Sequence, residues 1–358
     1  MDDSRIVGHP AHALPPPTMN NMTQKQRLLA ALRRQPTDRP PLICPGGMMS
    51  LAITEVMDAC RCHWPEAHVD GDKMARLALA MYDLGGIENL AVPFCMTVEA
   101  EALGAPVELG DRLTQPRVVH EPYASCAEVV AASLPPIAAF PRAQTVLAAM
   151  RTVSAERPDA PVIGNLVGPV SLLASLVQPD LLLREMFRQP ALVQEALEVV
   201  TGRLVEYAQE QQAAGAEVIA IADPTATGEI LGPRLFSGLA VPPLARLATE
   251  LHNAGSPVIV HICGSVKTIV THLDAIGADA ISVDDMVKLS TLRPHLPNAA
   301  VMGNLSTFVL QRGPIEKITG WVERIGLAQA DIIAPACALV PDTPLRHMQA
   351  LAEAVRNA

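Results

Sequence analysis

The sequence predicts an α/β protein, a (β/α)8 TIM barrel with an N-terminal elaboration, and three observations lead there. From about residue 140 a helical pattern, a short Val/Ile-rich run and a polar or Gly/Pro turn follow one another repeatedly, the order of a parallel sheet covered by helices. Each apolar run ends on a polar residue, and in a closed barrel the carboxyl ends of the strands share the face that carries the active site. No run is followed by G-x-G-x-x-G or G-x-x-x-x-G-K-[ST], so the open doubly wound alternative lacks its phosphate-binding turn. With 358 residues, 49% hydrophobic and 18% charged, the chain can build a large core and lacks the signature of disorder.

Residues 1–22 hold three consecutive prolines, Pro15 to Pro17, and no hydrophobic period; they read as a mobile tail, and His9 and His12 within it are set aside. A single barrel domain is expected over 23–358. Thr23 is placed to cap a helix running through LLAALRR to Pro36. The stretch from Arg39 to Met96 is irregular and contains Pro and Gly, with a helix at 72–84; this is the elaboration. Six strand-like runs follow: PVIGNL (161–166), EVIAIAD (217–223), PVIVHIC (257–263), ADAISVDD (278–285), AAVMGNL (299–305) and ADIIAPAC (330–337). Helices are expected over 190–214, 238–254, 265–277, 314–329 and 344–356.

Lys and Arg number 27 against 37 Asp and Glu, a net charge of −10, which argues against a nucleic-acid partner and against a polyanionic ligand unless the arginines converge on one pocket. Ten aromatic residues do not furnish a platform for stacking bases. No apolar run reaches the ~18 residues of a membrane span, and the N-terminus lacks the order of a signal peptide, so a cytoplasmic location is expected. Seven cysteines are too sparse and odd a set for a secreted disulfide framework; they read as reduced thiols open to metal binding.

The polar residues at the run ends are Asn165, Asp223, His261, Asp284, Asn304 and Cys337. His261 and Cys263 stand two apart, and the strand period of two sends both side chains to one face. Cys337, after the last run, is available as a third soft ligand. One imidazole and two thiolates suit Zn²⁺ and leave one coordination position open, as in a catalytic site. The alternative reading is a hydrogen-bonded strand-end His beside ordinary buried Cys. Asp223 opens an Asp-Pro turn and is either a carboxylate orienting substrate or a ligand, or a helix cap or turn former. Asp284 and Asp285 are adjacent and face opposite ways, so one of them is a candidate hydrogen-bond partner for His261. Asn165 and Asn304 are candidates of the same kind. A second cluster, Cys60, Cys62 and His63, lies in an expected loop without a fourth ligand and is set aside; the remaining histidines read as surface or packing residues.

The chain resembles the uroporphyrinogen decarboxylase superfamily, and within it the methylcobamide:coenzyme M methyltransferase branch, from about Thr23 to the C-terminus. MTQKQRLLAALRRQPTDRPP (22–41), DLGGIENLAVPFCMTVEAEALGAPVELG (83–110), GPVSLLASL (168–176), IADPTATGEILGPRLF (221–236) and VMGNLS (301–306) carry the likeness. The most specific match is HICG (261–264) with Cys337 in PACALVPDTP. The resemblance implies His261, Cys263 and Cys337 as zinc ligands and methyl transfer from a corrinoid protein to a small thiol such as coenzyme M. Other members serve tetrahydrofolate, and a lyase of the same superfamily or a non-catalytic zinc-binding corrinoid partner are the alternatives. Met48, Met49, Phe94 and Met96 are candidates to line a mouth that admits the corrinoid, or ordinary core. Two departures stand out. Alanines (Ala336, Ala338) flank Cys337 where the family often has glycine, and ICPGGMMS (43–50) lacks the arginines with which true decarboxylases meet propionates.

Overall fold

The computed structural model describes residues 22–358, so the expected tail, apart from Met22, lies outside the described residues. Helix α1 (Gln24–Leu32) starts where the sequence places it. Thr23 Oγ1 accepts from Gln26 N at 3.2 Å and Gln26 Oε1 accepts from Thr23 N at 3.0 Å, a reciprocal cap that satisfies two otherwise orphaned donors.

Six parallel strands follow one another in chain order: β1 (Leu90–Val92), β2 (Val162–Val167), β3 (Val218–Ala222), β4 (Val258–Ile262), β5 (Ala280–Val283) and β6 (Ala300–Met302). Two short segments carry this sheet round into a ring. Ile332 pairs with Met302 and Pro335 with Leu305 on one side; Ile333 pairs with Leu42 on the other. Ile43 N donates to Ile333 O (3.0 Å), Ile333 N to Pro41 O (2.9 Å), and Glu88 N to Leu42 O (2.8 Å), so residues next to β1 and β6 meet. The stretch read as elaboration therefore supplies two of the eight staves, at 42–43 and at β1, besides the outer helices Thr54–Cys60 and Gly71–Gly85. Their brevity hid them: each is too short to show a period, and prolines at 40, 41, 45 and 93 remove ladder donors around them. The run at 330–337 joins the ring through single pairings for the same reason, with Pro335 inside it.

Helices Pro190–Ala213, Val241–Asn253 and Leu345–Arg356 lie where expected, and 314–329 begins as Ile315–Trp321 before widening into a π-helical turn at Val322–Gly326. The helix expected over 265–277 is absent; two 3₁₀ turns, Val270–His272 and Asp274–Ile276, take its place. Four consecutive β-branched residues, Thr268 to Thr271, lose too much χ1 freedom in an α-helix for apolar content alone to hold one.

Strand parity divides the core in two. Ile163, Ala220, Ile259, Ala280, Ala300 and Ile332 fill the lumen, and Leu28, Ala31 and Leu32 of α1 pack on the same cluster. Ile221, Val260, Ile262, Ile281 and Val301 face outward into the helical layer. Alanines set among isoleucines inside, and large β-branched residues outside, let the ring close while both surfaces stay dry.

Candidate metal centre

In β4 and directly after it, the buried outward residues Val260 and Ile262 alternate with Ile259, His261 and Cys263, which point into the ring. His261 is 3% exposed, whereas Cys263 and Cys337 are half-buried at the rim. His261 Nε2 lies 3.1 Å from Cys263 Sγ, and Cys263 Sγ lies 3.5 Å from Cys337 Sγ. Each of the three residues offers a ligand atom within 4.8 Å of the others, and among the described residues no other group of His, Cys, Asp and Glu does so. Zn–S bonds of ~2.3 Å in a tetrahedron separate two sulfurs by about 3.8 Å, so the thiols need to part by only a few tenths of an ångström to hold such an ion. The donor set therefore fits zinc.

The loops that bring the donors together are tied to one another. Gly264, directly after Cys263, adopts φ +63°, a turn that a side chain would strain. Its N–H donates to Asp284 Oδ2 at 3.3 Å, and the next N–H, of Ser265, to Glu229 Oε2 at 3.3 Å. Asn304 Nδ2 donates to the carbonyls of Asp284 (2.7 Å) and Val287 (2.8 Å). Leu305 beside it accepts from Ala336 N at 2.8 Å, next to Cys337. Asp284 and Asn304 thus link the Cys263 turn to the Cys337 segment.

His261 Nδ1 meets Ser282 Oγ at 3.0 Å, not a carboxylate. Ser282 was missed because a serine in an apolar run carries no obvious signal. Its inward parity with Asp284 was the clue available.

The electrostatics follow from burial and contact. The two thiols are joined by one hydrogen bond. The hydrogen bond from Cys263, with help from His261, holds Cys337 low, while the same bond and burial push Cys263 up. Asp284 and Asp223 add negative charge beside Cys263. Asp223 is fully buried, which raises its pKa to about 6 against the pull of its donors. Those donors are Val170 N (3.2 Å), Ser171 N (2.8 Å) and Ser171 Oγ (2.6 Å), so Asp223 closes the start of helix Pro169–Ala174 from a neighbouring strand.

Asn165 is also committed to backbone: its Nδ2 donates to Pro45 O (2.8 Å) and Val92 O (3.3 Å), fastening the 45–47 loop to the barrel. Met48 is half-buried against the lumen cluster, and Met96 lines an apolar cavity of about 500 Å³ with Val167, Leu182, Met186 and Leu231. Met49 and Phe94, at 2% and 0% exposure, are core. Asp285 turns away from the donors, as parity requires, into a separate cavity of about 620 Å³. In the second cysteine cluster His63 Nε2 contacts Asp58 at 2.9 Å and the cysteines do not join it. Among the described residues no helix is long and apolar enough to cross a membrane.

An eight-stave α/β barrel with one imidazole and two thiols converging at its strand ends defines the class: a TIM-type barrel with a metal-competent face. The sequence model of the uroporphyrinogen decarboxylase (URO-D) family matches residues 23–358, and the chain belongs to that family. It is 34% identical over 342 residues to methylcobamide:CoM methyltransferase MtaA of Methanosarcina barkeri (strain Fusaro), covering 94% of this chain and 98% of that protein. It is 32% identical over 345 residues to methylcobamide:CoM methyltransferase MtbA of Methanosarcina mazei, covering 95% and 99%. A solved structure of a methyltransferase from Methanosarcina mazei superposes with a TM-score of 0.89 at 32% identity, covering 94% of this chain and 99% of that one.

Proposed function

We propose that this protein is a corrinoid-dependent methyltransferase that moves a methyl group from a methylated corrinoid, presented by another protein, to a small thiol at a zinc site formed by His261, Cys263 and Cys337. The observation that carries the reading is the convergence of one nitrogen and two sulfurs within 4.8 Å at the barrel mouth, in a chain whose relatives at 32–34% identity are named methylcobamide:CoM methyltransferases. Zinc bound there supplies the acidity that ionises a thiol near neutral pH.

The chain's own residues do the rest. Cys263 and Cys337 each give a negative charge, matching that of the ion, so an ionised acceptor keeps excess charge and its sulfur stays nucleophilic. The overall reaction converts a thiol and methyl-Co(III) into a thioether, Co(I) and a proton. His261 is buried while both sulfurs reach the rim, so the open side of the donor set faces the mouth through which an acceptor arrives. Met48 and the apolar cavity beside Met96 offer surface to the corrinoid. All seven cysteines are free thiols, which suits the reducing cytoplasm. Residues 43–50, without a cation, give decarboxylation of a polycarboxylate no counter-charge.

Purified protein incubated with methylcobalamin and a panel of thiols, with and without zinc removal, tests the proposal. Thioether formation and loss of methylcobalamin that require both zinc and thiol are expected. Demethylation that ignores the metal, or transfer to tetrahydrofolate and to no thiol, would overturn it.

A further inference from the structure

Ser282 occupies an unusual position. In the parallel pairing of β4 with β5 its Cα is the register partner of His261, so the two side chains stand next to each other on the inner face of the ring. Its side chain is fully buried, and among the described residues its hydroxyl has one hydrogen-bond partner, His261 Nδ1, at 3.0 Å. The other ring nitrogen, Nε2, points at Cys263 Sγ. The one other inward residue of β5 is Ala280, and the lumen cluster around it is built of Ala, Ile, Leu, Met and Val. A hydroxyl here costs burial of a polar group, which an alanine would avoid.

We infer that Ser282 is a positioning residue for the metal centre, holding the His261 ring with Nε2 turned toward the site and accepting the Nδ1 proton that a zinc-binding neutral imidazole carries. The inference rests on the metal site proposed above. A neutral imidazole carries one N–H. If Nδ1 holds it and donates to Ser282 Oγ, Nε2 presents its lone pair to the site; if Nε2 holds it, the proton fills the space between nitrogen and sulfur and blocks the ion. A hydroxyl serves this purpose differently from the carboxylate that often backs a metal-bound histidine. It accepts the Nδ1 hydrogen bond and, being uncharged, adds no negative charge to a donor set that already has two thiolates. The contact at Nδ1 also limits rotation of the ring and keeps Nε2 directed at Cys263 Sγ.

The test uses the full chain as wild type, Ser282→Ala and Ser282→Thr, with zinc affinity measured by chelator competition and the visible spectrum of the cobalt(II)-substituted proteins. Wild type is expected to bind zinc stoichiometrically. Loss of the hydroxyl should weaken binding about 10- to 100-fold and alter the cobalt bands, the usual effect of losing an outer partner of a metal-bound histidine. Threonine, which keeps the hydroxyl, should restore both. Wild-type affinity and spectrum in Ser282→Ala would overturn the inference while leaving the zinc site standing, and so would a folded Ser282→Thr as weak as alanine. A wild type that binds no zinc would remove the site itself. Should the alanine variant fail to fold, nitrogen-15 histidine spectra of the zinc-loaded wild type decide: a proton on His261 Nδ1 is required, and a proton on Nε2 refutes the assignment.

Discussion

Replacing Cys337 by alanine is the most direct perturbation of the centre. Structural zinc sites with four protein ligands bind with apparent free energies of about 10–16 kcal/mol, or roughly 2.5–4 kcal/mol per ligand. Cys337 is one of only three donors here, and removing it leaves His261 Nε2 and Cys263 Sγ, 3.1 Å apart, with nothing opposite them. At 1.4 kcal/mol per decade the expected loss is about 100- to 1,000-fold in zinc affinity. Competition with a chromophoric chelator measures it, and cobalt(II) substitution gives an independent count, since the sulfur-to-metal absorption should fall from two thiolates to one. Cys60→Ala is the control: this cysteine belongs to the second cluster, which gathers no metal-competent set, and should leave both readings unchanged. If Cys337→Ala binds one zinc as tightly as wild type with an unchanged cobalt spectrum, the three residues do not share an ion and the proposed chemistry fails.

Other consequences can be checked separately. In the metal-free protein Cys337 is held low by its bond with Cys263, so one thiol of the pair should be alkylated at a lower pH than an ordinary cysteine, and zinc should suppress the reaction; a rate rising only above pH 8 to 9 contradicts this. Asp223 has its folded pKa raised to about 6 from 3.8, so the folded state holds the proton more tightly and stability is greatest below the unfolded value. Stability should therefore fall as pH rises from about 3.8 to about 6, by on the order of 3 kcal/mol, and Asp223→Asn should flatten that part of the stability profile measured by urea unfolding. Gly168 lies so close to Asp223 that an added methyl would overlap its side chain; Gly168→Ala should lower the urea midpoint by the equivalent of about 1–3 kcal/mol, and an unchanged midpoint would show the loop gives way freely.

The order of helices and strands was legible from residue 140 onward because local period and turn chemistry agree there. Thr23 marked the start of the first helix, which ends at Leu32, short of the expected Pro36. The staves at 42–43 and Leu90–Val92 were not legible, being two or three residues long, the first with prolines on both sides and the second with Pro93 directly after it, and only pairing with neighbours makes them strands. The segment 265–277 shows the opposite case, apolar enough to suggest a helix yet too β-branched to form one. Asp223 illustrates a limit of another kind. An Asp-Pro pair announces a turn, but that its carboxylate closes a helix begun some fifty residues earlier depends on the contact between β2 and β3.

What the sequence determined by itself is the common direction of His261 and Cys263: the alternation of side chains along a strand is a property of the local backbone, so the two must point the same way wherever that strand lies. Their distance from Cys337, 74 residues on, and the hydroxyl that waits behind the imidazole were decided by ring closure and strand register. Those depend on the summed packing of the lumen and its surrounding helices, a quantity that no window of neighbouring residues contains.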